Sequence, residues 1–335
     1  MNDVSVIGID LAKHVFELVA LDDRGRMLWG RRLRRDQLLP FLAQQAPTRV
    51  AMEACAGSHD WGRQLRALGH EVRLLPMHQV RPFRRGTKND RNDALAIAEA
   101  GMRESLQGVA IKSQAQQDVL SIHRCRQLLM RHRTALINQG RGLLMEYGVV
   151  LRRGAGQFRR GLPKLLADGD NGLTPSVRET LALIGHQVSE LDERIDDLER
   201  RLKVQLDEVS RRLMGCPGVG LITATAFAAS VGDPRTFHDG RQLAAWLGLV
   251  PRQHSSGGQT RLGRIGKRGD RYLRSLLIEG AHSYLRWASR HDTRLSRWVL
   301  ALKARVGVHK AAVALANKNA RVLWSLMASG EAYQG

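Results

Sequence analysis

The sequence predicts an α/β domain, then a helical middle, then a mostly helical C-terminal domain, an α/β plus α architecture. Three observations carry this. Short β-rich apolar runs surround one amphipathic helix in residues 1–105. Two long helical patterns fill 106–213 without a convincing strand, and 214–335 is a series of short helices punctuated by glycine. A chain of 335 residues accommodates two or three such domains.

VSVIGID, VFELVALDD and RMLWGRRLR, separated by turn residues such as Asp22, Asp23 and Gly25, form an antiparallel meander. RVAMEA (49–54) is a fourth strand, SHDWGRQLRALG an amphipathic helix ending at Gly69, and EVRLLP (71–76) a fifth strand. After the basic turn RPFRRGTKN, a helix begins at Asn89 or Asp90 and runs through DRNDALAIAEAGM.

The middle holds QQDVLSIHRCRQLLMRHRTALINQGRGLLMEYG and SVRETLALIGHQVSELDERIDDLERRLKVQLDEVSRRL. In the second, Val177, Leu181, Ile184, Val188, Leu191, Ile195, Leu198 and Leu202 alternate spacings of four and three, the seam of a coiled coil, until Leu206 shifts the register. Thr174-Pro175, with Ser176 and Glu179, starts this helix. A single seam must bury its stripe against something, so self-association is expected, with a dimer as the minimum. The basic connector RRGAGQFRRGLPKLLADGDNG is either a solvated loop or a nucleic-acid contact.

Charge narrows the partners. Lys plus Arg number 53 against 32 Asp plus Glu, a net of +21. Residues 206–335 alone hold 20 basic and 8 acidic residues. The partner is a polyanion, and the excess of arginine over lysine, whose planar fork suits phosphates and guanine edges, favours nucleic acid over a membrane surface. Every window of about 20 residues carries charge and the N-terminal MNDVSVIGIDLAKH lacks an apolar h-region, so neither a membrane span nor a signal peptide is expected. The expected location is the bacterial cytoplasm, with the nucleoid. Cys55, Cys125 and Cys216 lie far apart, which supports neither a disulfide framework nor a zinc site; they are expected to be buried packing residues. The twelve histidines lack metal-ligand spacing.

Two acids stand where apolar residues would be expected, and two more open a helix. Asp10 and Glu53 each end an apolar strand, and on neighbouring strands they would project from one sheet edge. Asp90 and Asp93, three apart at a helix start, share a face. Together they make an oxygen-only site for Mg²⁺ or Mn²⁺, the arrangement that phosphodiester chemistry needs. Each has a structural alternative: a turn at Asp10, an arginine partner for Glu53, a cap at Asp90.

The runs GIDLAK (8–13), MEACAGSHDW (52–61), KNDRNDALAIAEA (88–100), MGCPGVGLITATAF (214–227) and LAAWLGLVPRQHSSGGQTRLGRIGKRGDRYLR (243–274) resemble the DEDD transposases of the IS-one-ten and IS-eleven-eleven insertion-sequence groups. The resemblance covers almost the whole chain. It implies a RuvC-like, ribonuclease-H-fold domain whose carboxylates fall on Asp10, Glu53, Asp90 and Asp93, the four chosen above. It further implies a C-terminal transposase domain with a serine nucleophile at Ser256 of QHSSGG, Ser255 being adjacent, and an element-encoded noncoding bridge RNA that pairs donor and target DNA.

A serine hydroxyl attacks only when deprotonated or set beside a metal or base. No His-Asp pair surrounds Ser256 in sequence, and His254 is a weak candidate; a carboxylate-bound metal of a partner subunit would supply activation. Arg252, Arg261, Arg264, Lys267, Arg268, Arg271 and Arg274 crowd this segment among glycines, a pattern suited to phosphate contact. PGVG (217–220) is either a helix-hairpin-helix phosphate turn or a turn that packs two helices. The expected function is Mg-dependent recombination of double-stranded donor and target DNA through a serine–DNA intermediate. Two duplexes need four strand cuts, so a tetramer is the expected working form. The rivals are a RuvC-like Holliday-junction resolvase using metal-activated water, and a non-catalytic nucleic-acid-binding protein. The corresponding domains are 1–105 (catalytic), 106–213 (helical and coiled-coil) and 214–335 (transposase).

Overall fold

The computed structural model describes residues 3–334 apart from Lys88, and Ser256 by its backbone alone. The chain divides into two compact units: Met1–Gln114 with Val231–Thr236, and Ala115–Ser230 with Phe237–Gly335.

In the first unit, β1 (Val6–Asp10), β2 (Val15–Leu21) and β3 (Met27–Arg34) form the expected meander. The chain continues through α1 (Leu38–Ala43), β4 (Arg49–Glu53), α2 (Ser58–Ala67), β5 (Glu71–Leu75), α3 (Met77–Val80) and α4 (Asp90–Gly101). The sheet order is β3-β2-β1-β4-β5, with β1, β4 and β5 parallel. Central β1 and β4 are buried on both faces and therefore almost wholly apolar. One face packs Ile7, Ile9, Val50 and Met52 against Leu38, Leu42, Trp61 and Leu65 of α1 and α2. The other packs Val6, Val19, Ala51 and Leu75 against Ala94, Ile97 and Ala98 of α4.

In the second unit, α5 (Gln114–Glu146), which begins at the boundary, α6 (Ala155–Ala167) and α7 (Pro175–Val204) pack together. Thr174 caps α7 as expected, its hydroxyl accepting from Val177 N. The seam of α7 does not wait for a second chain. Val177, Leu181, Ile184 and Val188 are buried against Ile137 and Leu144 of α5 and Phe158 and Leu162 of α6. Asp192, on the same helix, accepts from Arg133 at 2.5 Å and Arg159 at 3.0 Å. The first half of the stripe that argued for self-association, Val177 to Val188, is thus covered within the chain. The connector is corrected as well, since most of it is α6, a helix with Pro163 inside it.

There follow α8 (Glu208–Leu213), α9 (Leu221–Val231) and α10 (Gly240–Trp246), then a hairpin of β6 (Pro251–Ser256) and β7 (Gln259–Ile265). After it come α11 (Arg271–Trp287), α12 (Arg294–Val306) and α13 (Val308–Ser329). The hairpin is an addition to the helical expectation. The PGVG turn packs helices: Gly218 (φ 81°) and Gly280 of α11 approach so closely that a Cβ on Gly218 would stand 2.8 Å from the Gly280 carbonyl oxygen. Cys216 is buried, whereas Cys55 and Cys125 are exposed, correcting the expectation that all three are packing residues.

Candidate active site

Asp10 closes β1 and Glu53 closes β4, and a parallel register that pairs Ile9 with Met52 sets them side by side at one sheet edge. Alternation puts Asp10 on the face of Val6 and Gly8, and Glu53 on the face of Ala51. That is the face α4 covers. The helix lies close because small residues allow it. A Cβ on Gly8 would collide with the Ala94 carbonyl oxygen and come within 2.5 Å of Ala98 N, and one on Gly101 would come within 2.5 Å of the Ala51 methyl. This approach carries the first turn of α4, with Asp90 and Asp93, toward Asp10.

The cap of α4 is Asn89, whose side chain accepts from Asn92 N at 2.8 Å. Asp90 is therefore free of the capping role that was its structural alternative, although a carboxylate in the first turn still gains from the helix dipole. Glu17 stands opposite Asp10 on β2 and shares its face, an acid that sequence reasoning missed; Arg32 pairs with it at 3.4 Å.

The other three acids act on Asp10. The Asp10 carboxyl is pushed up to about 6, first by burial, then by the charges of Asp93, Asp90 and Glu53, with Arg84 opposing. The thiol of Cys55 is held above its ordinary range by burial and by Glu53 and Asp10, so it borders the same field. Arg84 Nε lies 2.5 Å from Asp93 Oδ1, yet both atoms are buried without a hydrogen-bond partner, because the ion pair is out of line. Arg84 belongs to the basic turn RPFRRGTKN, and no sequence signal distinguished it from its neighbours.

Among the described residues, no group of three His, Cys, Asp or Glu side chains is arranged to hold a metal ion. The chemistry of the site nonetheless fits a hard divalent cation. Its donors are all oxygen, and Asp93 Oδ1 is buried without a hydrogen bond, held only by an ion pair to Arg84 that marks a place where positive charge is needed.

In the second unit, Ser256 is the last residue of β6, its backbone paired with Gln259 across Gly257 and Gly258, both at positive φ. The Ser256 side chain lies outside what is described. Ser255 is exposed, its hydroxyl accepting from Gln253 Nε2 at 2.8 Å, and His254 is exposed opposite Arg261. Arg252, Arg261, Arg264, Lys267, Arg268 and Arg271 are exposed. Arg274 is not. It is 8% exposed and donates to the carbonyls of Leu247 and Arg268, both at 2.8 Å, and burial depresses its pKa. It braces the loop between β7 and α11 and is not available to DNA.

Residues 7–149 match a family model described as a transposase of the DEDD, IS110 type, and residues 210–296 match one described as "Transposase IS116/IS110/IS902 family". The chain belongs to this transposase family. It is 46% identical over 335 residues to a "Probable family 20 transposase" of Pseudomonas aeruginosa, covering 99% of both chains. It is 43% identical to the "Transposase for insertion sequence element IS1111A" of Coxiella burnetii, covering 100% of this chain and 92% of that one. To the "Transposase for insertion sequence element IS1328" of Yersinia enterocolitica it is 38% identical, covering 99% of both. An IS110-family transposase is an enzyme that cleaves and recombines DNA, and a DEDD transposase domain implies use of a divalent metal. No described helix of this transposase is long and apolar enough to cross a membrane.

Proposed function

We propose that this transposase exchanges DNA strands through a transient ester between DNA and Ser256, with Asp10, Glu53, Asp90 and Asp93 holding Mg²⁺ or Mn²⁺. The observation that carries the metal half is the convergence of Asp10 and Glu53 at one sheet edge with the first turn of α4, where burial first and then the charges of Asp93, Asp90 and Glu53 lift Asp10 to about 6. Such repulsion in a half-buried cluster is costly until a cation relieves it. The bound ion supplies Lewis acidity and charge neutralisation. The five-stranded order β3-β2-β1-β4-β5, with an acid ending each of two central parallel strands, supports a RuvC-like ribonuclease-H fold.

In the proposed reaction the Ser256 hydroxyl oxygen bonds to the scissile phosphorus and the bond to the leaving sugar oxygen breaks. The serine proton is lost and the leaving oxygen gains one. Rejoining reverses the step with a new sugar hydroxyl. Exposed Arg252, Arg261, Arg264, Lys267 and Arg268 position the phosphodiester backbone beside the serine, whereas Arg271 lines a groove between α5 and α11. The same reading assigns 1–105 to catalysis, 106–213 to a helical region and 214–335 to the transposase domain. It includes an element-encoded bridge RNA and a homo-oligomer; the net charge of +21 supports the RNA, and the need for four strand cuts supports the oligomer.

A denaturing gel of protein with labelled donor DNA and Mg²⁺ tests this. Wild type should give a covalent adduct that Ser256→Ala lacks, and Asp10→Ala should abolish it while leaving the chain folded. Cleavage to free 5′-phosphate ends without adduct would replace the serine step with metal-assisted hydrolysis.

A further inference from the structure

A second polar site lies far along the sequence from the carboxylates, wholly within the second unit. A groove of about 530 Å³ runs between α5 and α11, lined by Arg126, Arg131 and Asn138 on one side and Arg271, Tyr272 and Glu279 on the other. Tyr272, which lines the groove, is held from behind by His123. His123 is 1% exposed and bonded at both ring nitrogens, Nδ1 to the Tyr272 hydroxyl and Nε2 to the Thr225 hydroxyl, each at 3.0 Å.

The directions of these bonds follow by elimination. Thr225 donates its own proton to the Leu221 carbonyl at 2.8 Å, so it accepts from His123 Nε2–H. Burial, with Arg126 nearby, pushes His123 down to about 4, so the ring is neutral and its Nδ1 bare. Tyr272 must then donate to Nδ1, which leaves its oxygen lone pairs as acceptors, and Arg126 is one donor to them. Arg126 is pinned in turn by Glu199, which accepts from Nε at 2.8 Å and lies 2.7 Å from Nη2. Arg131 and Arg271 are exposed and, among the described residues, pair with no carboxylate. The result is one fixed guanidinium and two unpaired ones around a rigid hydroxyl, with Glu279 the one acid among the described residues that line the groove.

We infer that this groove binds the phosphodiester backbone of a single nucleic-acid strand, at a site separate from the carboxylates and the β6–β7 hairpin. The volume accommodates a nucleotide or two of one strand. The free arginines match phosphate oxygens in geometry and charge. An open groove tracking a backbone is the usual device for strand binding without base readout. The strand's source, RNA or DNA, is left to the experiment, since both present the same phosphate.

The test is fluorescence anisotropy on the full chain with labelled 12-nucleotide RNA and DNA of one sequence, across a salt series. Arg131→Ala/Arg271→Ala removes two exposed side chains and is compared with Lys303→Ala/Arg305→Ala, an equal loss of charge on exposed α12. The groove variant should bind at least 10-fold more weakly and lose roughly 1.4 from the slope of log K against log salt, at about 0.7 per contact on a single strand. Loss confined to RNA or to DNA supports the site and identifies the strand; loss for both assigns it to the shared backbone. Unchanged affinity, or an equal loss in the α12 control, overturns the proposal. The measurement is made in EDTA, where no strand is cut, so a failed recombination mechanism leaves the groove result unchanged and a failed groove leaves the adduct gel unchanged.

Discussion

Arg84 Nε sits 2.5 Å from Asp93 Oδ1, so a cation of the chain already occupies the acid that α4 delivers to the carboxylate cluster. The side chains are 28% and 13% exposed, between a surface pair and a buried one. Arg84→Ala should therefore destabilise the metal-free chain by about 1–2 kcal/mol at pH 8, read by urea denaturation in EDTA. It should also bind Mn²⁺ several-fold more tightly by calorimetry, since the guanidinium and a cation compete for one oxygen. Weaker Mn²⁺ binding would make Arg84 a support of the site, not a competitor.

Asp10 gives a pH signature of defined sign. Its folded pKa, about 6, exceeds the ordinary 3.8, so its contribution to stability is fully present below pH 4 and lost as pH rises through 6. The full shift corresponds to about 3 kcal/mol, and solvent screening at this half-buried carboxyl reduces the expected effect to about 1. In EDTA, Asp10→Asn should be about 1 kcal/mol more stable than wild type at pH 8 and equal to it at pH 4. With saturating Mg²⁺ at pH 8 the order should reverse, because the cation stabilises only the carboxylate.

Gly8 is where the sheet admits α4, and the missing side chain is what brings two elements' acids together. Gly8→Ala places a methyl against backbone atoms of Ala94 and Ala98, which cannot rotate aside. The cost should be about 2–3 kcal/mol by denaturant melt, at the upper end for overpacking. Recombination should fall further than the lost stability explains, since the displaced helix carries Asp90 and Asp93. A variant with wild-type activity would show that the spacing of α4 from β1 is not critical.

These residues also show what the sequence disclosed. Strand ends at Asp10 and Glu53 were legible because a charge interrupts an apolar run, and the five strands and α4 followed from period and turn residues. The role of Gly8 was not, because a glycine inside a strand pattern does not say which helix will press on it. The α7 seam showed its period but not its partner: heptad spacing specifies an apolar stripe, and α5 and α6 of the same chain meet that need as well as a second copy would. The helix α6 was hidden by Gly156, Gly161 and Pro163, whose local preferences are outweighed by burial of Phe158 and Leu162. The hairpin was hidden because both its strands are exposed and lack the apolar alternation by which strands are recognised.

That exposure has its own consequence. Gly257 and Gly258, at φ 57° and 77°, form the two-residue turn of β6 and β7, and a Cβ at either would enter open space. A lone two-stranded ladder is marginal in water. Replacing both glycines with valine should leave the melting temperature of the chain within about 1 °C, since no core is touched, yet abolish adduct formation by disrupting the segment that carries Ser256. A fall of several degrees would show that the hairpin supports the fold.

His123 should move stability with pH in the sense opposite to Asp10. Its pKa is about 4 in the fold against an ordinary 6.5, so its contribution is complete above 6.5 and lost as pH falls toward 4. For so buried a ring the swing is about 3 kcal/mol. Over the same interval Asp10 gains stability as pH falls, but in the other unit, so the two slopes oppose each other in any probe that reports the whole chain. Hydrogen exchange separates them. Amides of α5 and α9 should lose protection between pH 6.5 and 4.5, after correction for intrinsic rates, while those of β1 and α4 should not. In His123→Gln, which bonds but does not titrate, α5 should be less protected at pH 7 and its further loss on acidification should vanish; persistence of that loss would place the titrating group elsewhere.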